Sequence, residues 1–297
     1  MSMPIRRALL VVSRRSRHGE GDLSACLERL HSLGLAVTVH AADRPEEVPA
    51  LIRGCRAGID LAILGGGDGT ANLAAEALVE RRLTLALLPL GTANDLARTP
   101  GMPSDLGRAC EIIAAGHARR IDLGQVNGEY FFNVASAGIG AQVPQRQAGA
   151  RKRRWKVFGY LPSVVEAYRA TRPFGAEIDC DGAHHRLRCL HLAVGNGRHY
   201  GGGMTIAAEA GIDDGVLALS ALRPQGLASL ALLAPALRWG LQHEGGRMLS
   251  LRGRRIDVRA LPVQAINADG ELIAETPAKF RVARRALRLI VPDTSAE

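Results

Sequence analysis

Leu61-Ala62-Ile63-Leu64-Gly65-Gly66-Gly67-Asp68-Gly69-Thr70 joins a short apolar strand to a glycine-dense loop, and a helix-forming segment from Asn72 to Glu80 follows. A strand–loop–helix junction of this kind presents backbone N–H groups and a helix N-terminus to a phosphate. Glycine allows the approach because no Cβ stands in the way. Thr70 has two readings, as cap of the helix or as donor to a phosphate. Asp68 is the odd member. A carboxylate beside a polyphosphate makes sense only with a bridging cation or with donors to orient, and a nucleotide with Mg²⁺ satisfies that condition. The loop lacks the Gly-Lys-Ser/Thr of a P-loop and the spacing of a dinucleotide fingerprint. The competing reading is a tight turn that binds nothing.

Outward from this loop the first part of the chain alternates. Strands are expected at Ala8–Ser13, Ala36–His40, Leu61–Leu64 and Leu83–Leu88, and helices at Asp22–Leu33, Glu46–Ala57, Thr70–Glu80 and from Ser104-Asp105 to Ala115. Strand–helix alternation predicts a parallel sheet covered by helices, with ligands outside the carboxyl ends of the strands. Both Gly65–Gly69 and Pro89–Asp95 follow strands at that edge. After Asp122 the pattern changes to strands at Gly124–Ala135, Ala176–Cys180, Arg186–Gly195, Val216–Leu222, Arg254–Ala260 and Leu272–Glu275, with helices at Trp155–Arg169 and Pro224–Gln242. The expected architecture is an α/β domain over 1–123 and a mainly antiparallel β-sandwich over 124–285. The final Ala286–Val291 strand has no evident neighbour, and a return of 286–297 to the first domain accounts for it.

Composition narrows the classes. Of 297 residues, 47% are hydrophobic and only 4% aromatic, so aliphatic side chains fill the core and base-stacking platforms are scarce. The formal net charge of +9 favours anionic partners. No two of the five cysteines have CxxC spacing, which argues for reduced thiols rather than zinc or a disulfide framework. The histidines show no metal-ligand spacing. The apolar run Ala8–Val12 is too short for a signal sequence, and Leu227–Leu241 is interrupted by Pro235 and Arg238. The expectation is a cytoplasmic protein, with any membrane association peripheral.

Four further segments accompany the first loop: Pro89-Leu90-Gly91-Thr92-Ala93-Asn94-Asp95-Leu96-Ala97-Arg98, Asn196-Gly197 with Gly201-Gly202-Gly203, Asp213-Asp214-Gly215-Val216-Leu217, and Asp269-Gly270-Glu271. In this order, over nearly the whole chain, they resemble the diacylglycerol-kinase catalytic family and its soluble bacterial YegS-type lipid kinases. The first loop alone is shared with NAD kinases and, more loosely, phosphofructokinases. The pair formed with the second loop is specific. The resemblance implies an ATP-dependent lipid kinase, with nucleotide on the α/β domain and a general base from the sandwich. It assigns the nucleotide loop to Gly65, Gly66, Gly67, Asp68, Gly69 and Thr70, with Gly91, Thr92, Asn94 and Asp95 from the second loop. It places Asp68, Asp95 and Asp122 in a supporting acidic network and the base at Asp269, with Glu271 beside it. A separate structural Mg²⁺ or Ca²⁺ falls to Asp214 with main-chain oxygens of Gly211 and Val216, and Mg²⁺ accompanies ATP.

Each residue also has a plainer reading. Asp269-Gly270 is a hairpin-turn signal and Asp214-Gly215 a turn. Asp95 suits the first turn of a helix, Asn94 its cap, and Asp122 the end of a strand. The chain departs from the family pattern in Leu73 after Asn72 and in Ala207-Ala208 where a proline is usual; the adenine contact, near Thr38 and His40, is not assignable. The acceptor expected is a diacylglycerol-like, phosphatidylglycerol-like or long-chain-base alcohol, met at a membrane surface. Arg151-Lys152-Arg153-Arg154-Trp155-Lys156 could draw anionic headgroups at about 1 kcal/mol per charge. A solvated basic loop is the alternative there, and no nucleic-acid motif is present. A NAD or sugar kinase and a catalytically silent, membrane-recruited nucleotide module are the rival functions.

Overall fold

The fold, taken from a computed structural model, is described for residues 7–13, 20–91, 94–138, 172–196, 199–200, 204–205, 211–224 and 248–293. The helices expected at Trp155–Arg169 and Pro224–Gln242, the basic run 151–156, Thr92 and the Ala207-Ala208 pair lie outside these residues, save for Pro224. In the first half, β1 (Arg7–Ser13), β2 (Ala36–Ala42), β3 (Leu61–Gly66) and β4 (Thr84–Pro89) alternate with α1 (Glu20–Ser32), α2 (Val48–Arg53) and α3 (Asp68–Arg81); α4 (Asp95–Arg98) and α5 (Leu106–Ala115) follow. The strands pair in parallel, in the order β2-β1-β3-β4. Leu61, Ala62, Ile63 and Leu64 are all buried, as is every residue of β4, which is why these runs read as apolar without alternation.

Two helices differ most from expectation. The helix expected over Glu46–Ala57 is a 3-10 turn at Pro45–Glu47 and then α2, which stops at Arg53 with Gly54 after it. The helix expected from Thr70 begins at Asp68 instead, with Gly67 as its N-cap. Thr70 is therefore not the cap.

The second half contains β5 (Ala118–Val126), β6 (Glu129–Phe131), β7 (Val134–Gly138), β8 (Phe174–Cys180), β9 (Ala183–Cys189), β10 (His191–Gly195), β11 (His199–Tyr200), β12 (Met204–Thr205), β13 (Leu217–Leu222), β14 (Met248–Gly253), β15 (Arg255–Leu261), β16 (Ala265–Ala268), β17 (Glu271–Glu275) and β18 (Ala278–Ile290). The strand expected over Gly124–Ala135 is broken: Asn127 and Gly128, both at positive φ, turn β5 back into β6. Arg186–Gly195 is likewise two strands, and β14 and β16 were not anticipated. One antiparallel sheet runs β14-β13-β10-β7-β16-β17. It packs on the antiparallel β18-β15-β8-β9 part of the large sheet through a core that includes Phe131, Phe174, Ile178, Leu192, Leu219, Ile256 and Phe280. This is a sandwich.

β18 answers the question of the neighbourless C-terminal strand. Its first part pairs with β15, its last part runs parallel to β4, and β5 lies along its other edge throughout. The large sheet is thus continuous through both halves, and the expected boundary at 123/124 falls inside β5. The register with β5 is irregular between Ala283 and Leu287, and Arg285 there has φ +51°. A bulge frees main-chain groups from the ladder. Asp122 on β5 takes the freed Arg285 N–H at 2.6 Å.

Leu289, fully buried where β18 meets β4 and β5, should report on this shared strand. Leu289→Ala is expected to cost about 2–5 kcal/mol and lower the urea midpoint accordingly. An unchanged midpoint would show that β18 is not an integral part of the core.

Candidate active site

The two glycine loops lie side by side at the carboxyl ends of β3 and β4. A Cβ built on Gly91 would fall 2.5 Å from the Gly67 Cα and 3.0 Å from the Gly67 nitrogen, so the loops touch backbone to backbone. They border a cleft lined by Gly66, Gly67, Asp68, Pro89, Asn94 and Leu96, among others. Gly67 offers α3 no side-chain cap, and the Thr70 and Ala71 amides turn onto the Gly67 carbonyl at 3.1 and 3.3 Å. The Thr70 side chain is turned onto Gly66, where a Cβ would meet its Oγ1 at 2.7 Å.

Asp68 ties the loops together. Its Oδ1 accepts the Leu96 N–H at 2.8 Å, so a carboxylate on α3 caps the first turn of α4. Asn94 does not cap that helix with its side chain. It sits at φ +52° and braces its own loop: Oδ1 accepts from Gly91 N at 3.1 Å, and Nδ2 donates to the carbonyls of Pro89 at 3.2 Å and Gly91 at 3.1 Å. Asp95 is the first residue of α4.

Facing these loops is the turn between β16 and β17. Asp269 and Gly270 both have positive φ, +46° and +102°. The hairpin reading of this pair therefore holds, and the turn is also what aims the side chain. The Asp269 carboxylate accepts from three successive main-chain amides: Phe132 at 2.6 Å, Asn133 at 3.0 Å and Val134 at 3.0 Å. The Asp269 N–H in turn donates to the Val134 carbonyl at 2.9 Å. Burial pushes the Asp269 carboxyl up to about 6; the Val134, Phe132 and Asn133 amides pull the other way, and the nearby Asp68 charge adds to the rise. Glu271, exposed at the start of β17, brings Oε1 within 4.0 Å of the Cβ position of Gly69.

Three asparagine and aspartate positions build the frame. Asn72 is buried one turn beyond Asp68, on the same face of α3. With its amide nitrogen turned to the two acceptors around it, it donates to Tyr130 O and to Asp269 Oδ2, each at 3.2 Å. Asn196, also buried, donates through Nδ2 to the carbonyls of Phe132 at 3.0 Å and Asp122 at 2.9 Å, and its N–H goes to Asn133 O at 2.9 Å. Asp122 is 2% exposed, and besides Arg285 its carboxylate accepts the Gly215 N–H at 2.7 Å. Its two oxygens are spent on main-chain amides of the C-terminal half, so it braces the junction instead of lining the cleft. The sequence pointed to Asp122 and Asp269 but not to the amide row 132–134, to the clamping role of Asn196, or to Asn72. The i, i+4 relation of Asp68 and Asn72 was the available signal.

The residues expected to hold a second cation do not fit one. It is the amide nitrogens of Gly211 and Val216 that meet Asp214, each at 3.1 Å, and Arg252 Nη2 stands on the same carboxylate at 2.6 Å. Neighbouring Asp213 is paired with Arg119 at 2.7 Å. Hard cations require several oxygens free to converge; here the described partners of the Asp214 carboxylate are nitrogen donors. Among the described residues no cluster of three or more His, Cys, Asp or Glu is positioned for a metal. The first loop does fit a nucleotide that brings its own Mg²⁺, because at Gly67 and Gly69 no side chain comes within 3.5 Å of a Cβ position, and a phosphate can approach the backbone there.

A parallel α/β half with two glycine loops at its carboxyl edge, faced by a carboxylate from the turn of an antiparallel sandwich, is the architecture of the diacylglycerol-kinase class. Residues 7–126 match the diacylglycerol kinase catalytic domain, and residues 133–291 match the YegS C-terminal NAD kinase beta sandwich-like domain. The chain is 33% identical over 299 residues to a Pseudomonas fluorescens protein named "Probable lipid kinase YegS-like", covering 99% of this chain and 98% of that one. It is 28% identical to the "Diacylglycerol kinase" of Bacillus subtilis (strain 168), covering 93% and 92%. A solved structure of a diacylglycerol kinase from Bacillus anthracis str. Sterne shares the fold, with a TM-score of 0.83 at 22% identity over 99% of each chain. The chain belongs to the YegS-like lipid kinases of the diacylglycerol-kinase catalytic family.

The Asp214 loop yields a direct test. Asp214→Ala should lower the thermal midpoint, and the midpoint of the unsubstituted protein without nucleotide should respond neither to EDTA nor to added Mg²⁺ or Ca²⁺. A fall with EDTA that Mg²⁺ restores would return a cation to this loop.

Proposed function

We propose that this chain transfers the γ-phosphate of Mg-ATP to the hydroxyl of a lipid: a diacylglycerol-like, phosphatidylglycerol-like or long-chain-base alcohol. The observation that carries the reading is the Asp269 carboxylate held across from the N-terminus of α3 and the Gly65–Thr70 loop. In this reading the half before Gly124 binds nucleotide and the sandwich presents the acceptor. The basic run 151–156 would meet anionic headgroups at a membrane surface. Among the described residues no helix is long and apolar enough to cross a membrane.

The chemistry follows from the parts. Phosphoryl transfer through a loose transition state is mostly positioning and charge stabilisation. The N-terminus of α3 and the amides along the loop would hold the β- and γ-phosphates. Mg²⁺ bound with the nucleotide would spread the charge that develops on the transferred group. The acceptor oxygen forms its bond to the γ-phosphorus as the bond to the β,γ-bridging oxygen breaks and ADP leaves. The hydroxyl proton passes to Asp269. A carboxylate suffices for this, since the proton leaves late, and a carboxyl raised to about 6 is a better base than an ordinary one while still ionised at neutral pH. Glu271, over Gly69, is placed beside the path of the phosphate and not in the amide row.

The test is transfer of labelled γ-phosphate from Mg-ATP to a panel of lipids in mixed micelles, with NAD and sugars alongside. A phosphorylated lipid is expected. Asp269→Asn should lower kcat by at least about 100-fold and leave ATP affinity nearly unchanged. Transfer to NAD or a sugar alone would replace the reading, and turnover near that of the unsubstituted protein in Asp269→Asn would remove the base. The base must be ionised, so kcat/KM for the lipid should fall below pH 6, about tenfold per unit, and level off above it. A flat profile down to pH 5 would contradict the assignment.

A further inference from the structure

We infer that Asn72 is a positioning residue for the acceptor step: its side-chain amide occupies the one lone pair of Asp269 that an incoming hydroxyl can take. This rests on the reading of Asp269 as the base.

A carboxylate offers about four acceptor directions. At Asp269 the main chain fills three of them. Oδ1 accepts from Asn133 and Val134, each at 3.0 Å, and Oδ2 accepts from Phe132 at 2.6 Å, with Asn133 reaching it more weakly at 3.3 Å. These donors are consecutive along the bend between β6 and β7. Asn196 holds the carbonyls of Phe132 and Asn133 in that bend, so none of the three can withdraw without opening it. The fourth direction belongs to the Asn72 amide, at 3.2 Å from Oδ2. It is longer than the shortest contact of each of the three main-chain donors, and it is made by a side chain that can turn about its own bonds. Asn72 comes from α3, which also carries Asp68 into the cleft, so this lone pair points toward the side on which the nucleotide loop lies. A second N–H on Tyr130 O at 3.2 Å tethers the amide to β6. When an acceptor O–H donates to Oδ2, Asn72 can yield that contact and keep Tyr130. Before that, it keeps a half-buried anion fully bonded, and leaving one of its lone pairs bare would be costly.

Among the described residues, the elements around Asp269 carry Asp68, with Glu76, Glu80 and Arg81 further along α3, Glu271 and Glu275 at the two ends of β17, and Glu129 at the exposed end of β6; β7 and β16 bring none. Arg81, at the end of α3 away from the cleft, is the one base among them. A donor to the ionised form therefore counts, since the Asp68 charge disfavours that form.

The experiment compares the full chain with Asn72→Ala and Asn72→Ser by titrating carboxyl ¹³C signals in nucleotide-free protein, the Asp269 signal being assigned by its loss in Asp269→Asn. Asn72→Ala should move the Asp269 midpoint upward by roughly 0.5–1 pH unit. The acid limb of kcat/KM for the lipid should move with it, at unchanged KM for ATP. Serine, which retains a donor, should restore part of both, and it serves alone if the alanine variant does not fold. An unmoved titration, or an activity loss equal at every pH, would overturn the inference. The titration does not depend on turnover, so the two failures separate. A shifted titration in a chain that phosphorylates no lipid would leave Asn72 in place and remove the kinase reading.

Discussion

The Asp269 carboxylate, gripped by three consecutive peptide N–H groups, is the interaction on which the site depends. Its placement demands a residue at positive φ, which aspartate in an Asp-Gly turn tolerates better than most. It also demands that the chain between β6 and β7 expose its amides in a row, and Asn196 secures this from the other side through their carbonyls. The result is an anion that is half-buried yet bonded, with a proton affinity set by two opposed effects. Desolvation favours the neutral acid, and the amides favour the carboxylate.

A second set of contacts holds the nucleotide half in a fixed relation to this anion. Asp68 reaches from the first turn of α3 to the first turn of α4, so the two glycine loops are one unit and not two. Asp122 performs the equivalent task at the back of the site. Its oxygens gather an amide from the Gly211–Val216 loop and one from the bulge in β18, the strand common to both halves of the large sheet. The Asp213 and Asp214 ion pairs finish this loop with arginine. Asp68, Asp122 and Asp269 thus all work by accepting main-chain hydrogens, and the charge each brings to the cleft depends on how far those donors leave it exposed.

Much of the architecture was legible in the sequence because parallel buried strands announce themselves as unbroken apolar runs. Leu61–Leu64 and Leu83–Leu88 are of that kind. The motifs were legible because glycine and aspartate sit where side chains would obstruct. The failures share a cause. Gly124–Ala135 reads as one strand because a two-residue turn at Asn127-Gly128 barely interrupts its composition. β18 was underestimated because Lys279, Arg281, Arg284 and Arg285 hide its pattern. The ion pair at Asp214 was missed because nothing local to Asp214 reveals that Arg252, 38 residues on, would reach it. Asn72 was passed over as a helix residue, since its partner at Asp269 is supplied by tertiary packing alone. Local pattern records burial and turns, whereas contacts between distant segments are written only in the fold.

The most direct measurement is a crystal structure of the chain with a non-hydrolysable ATP analogue, Mg²⁺ and a short-chain lipid alcohol. This account places the acceptor oxygen within about 3.2 Å of Asp269 Oδ2, with the γ-phosphate over Gly67–Gly69. An acceptor hydroxyl bound away from Asp269, or a nucleotide that leaves the Gly65–Thr70 loop bare, would contradict it.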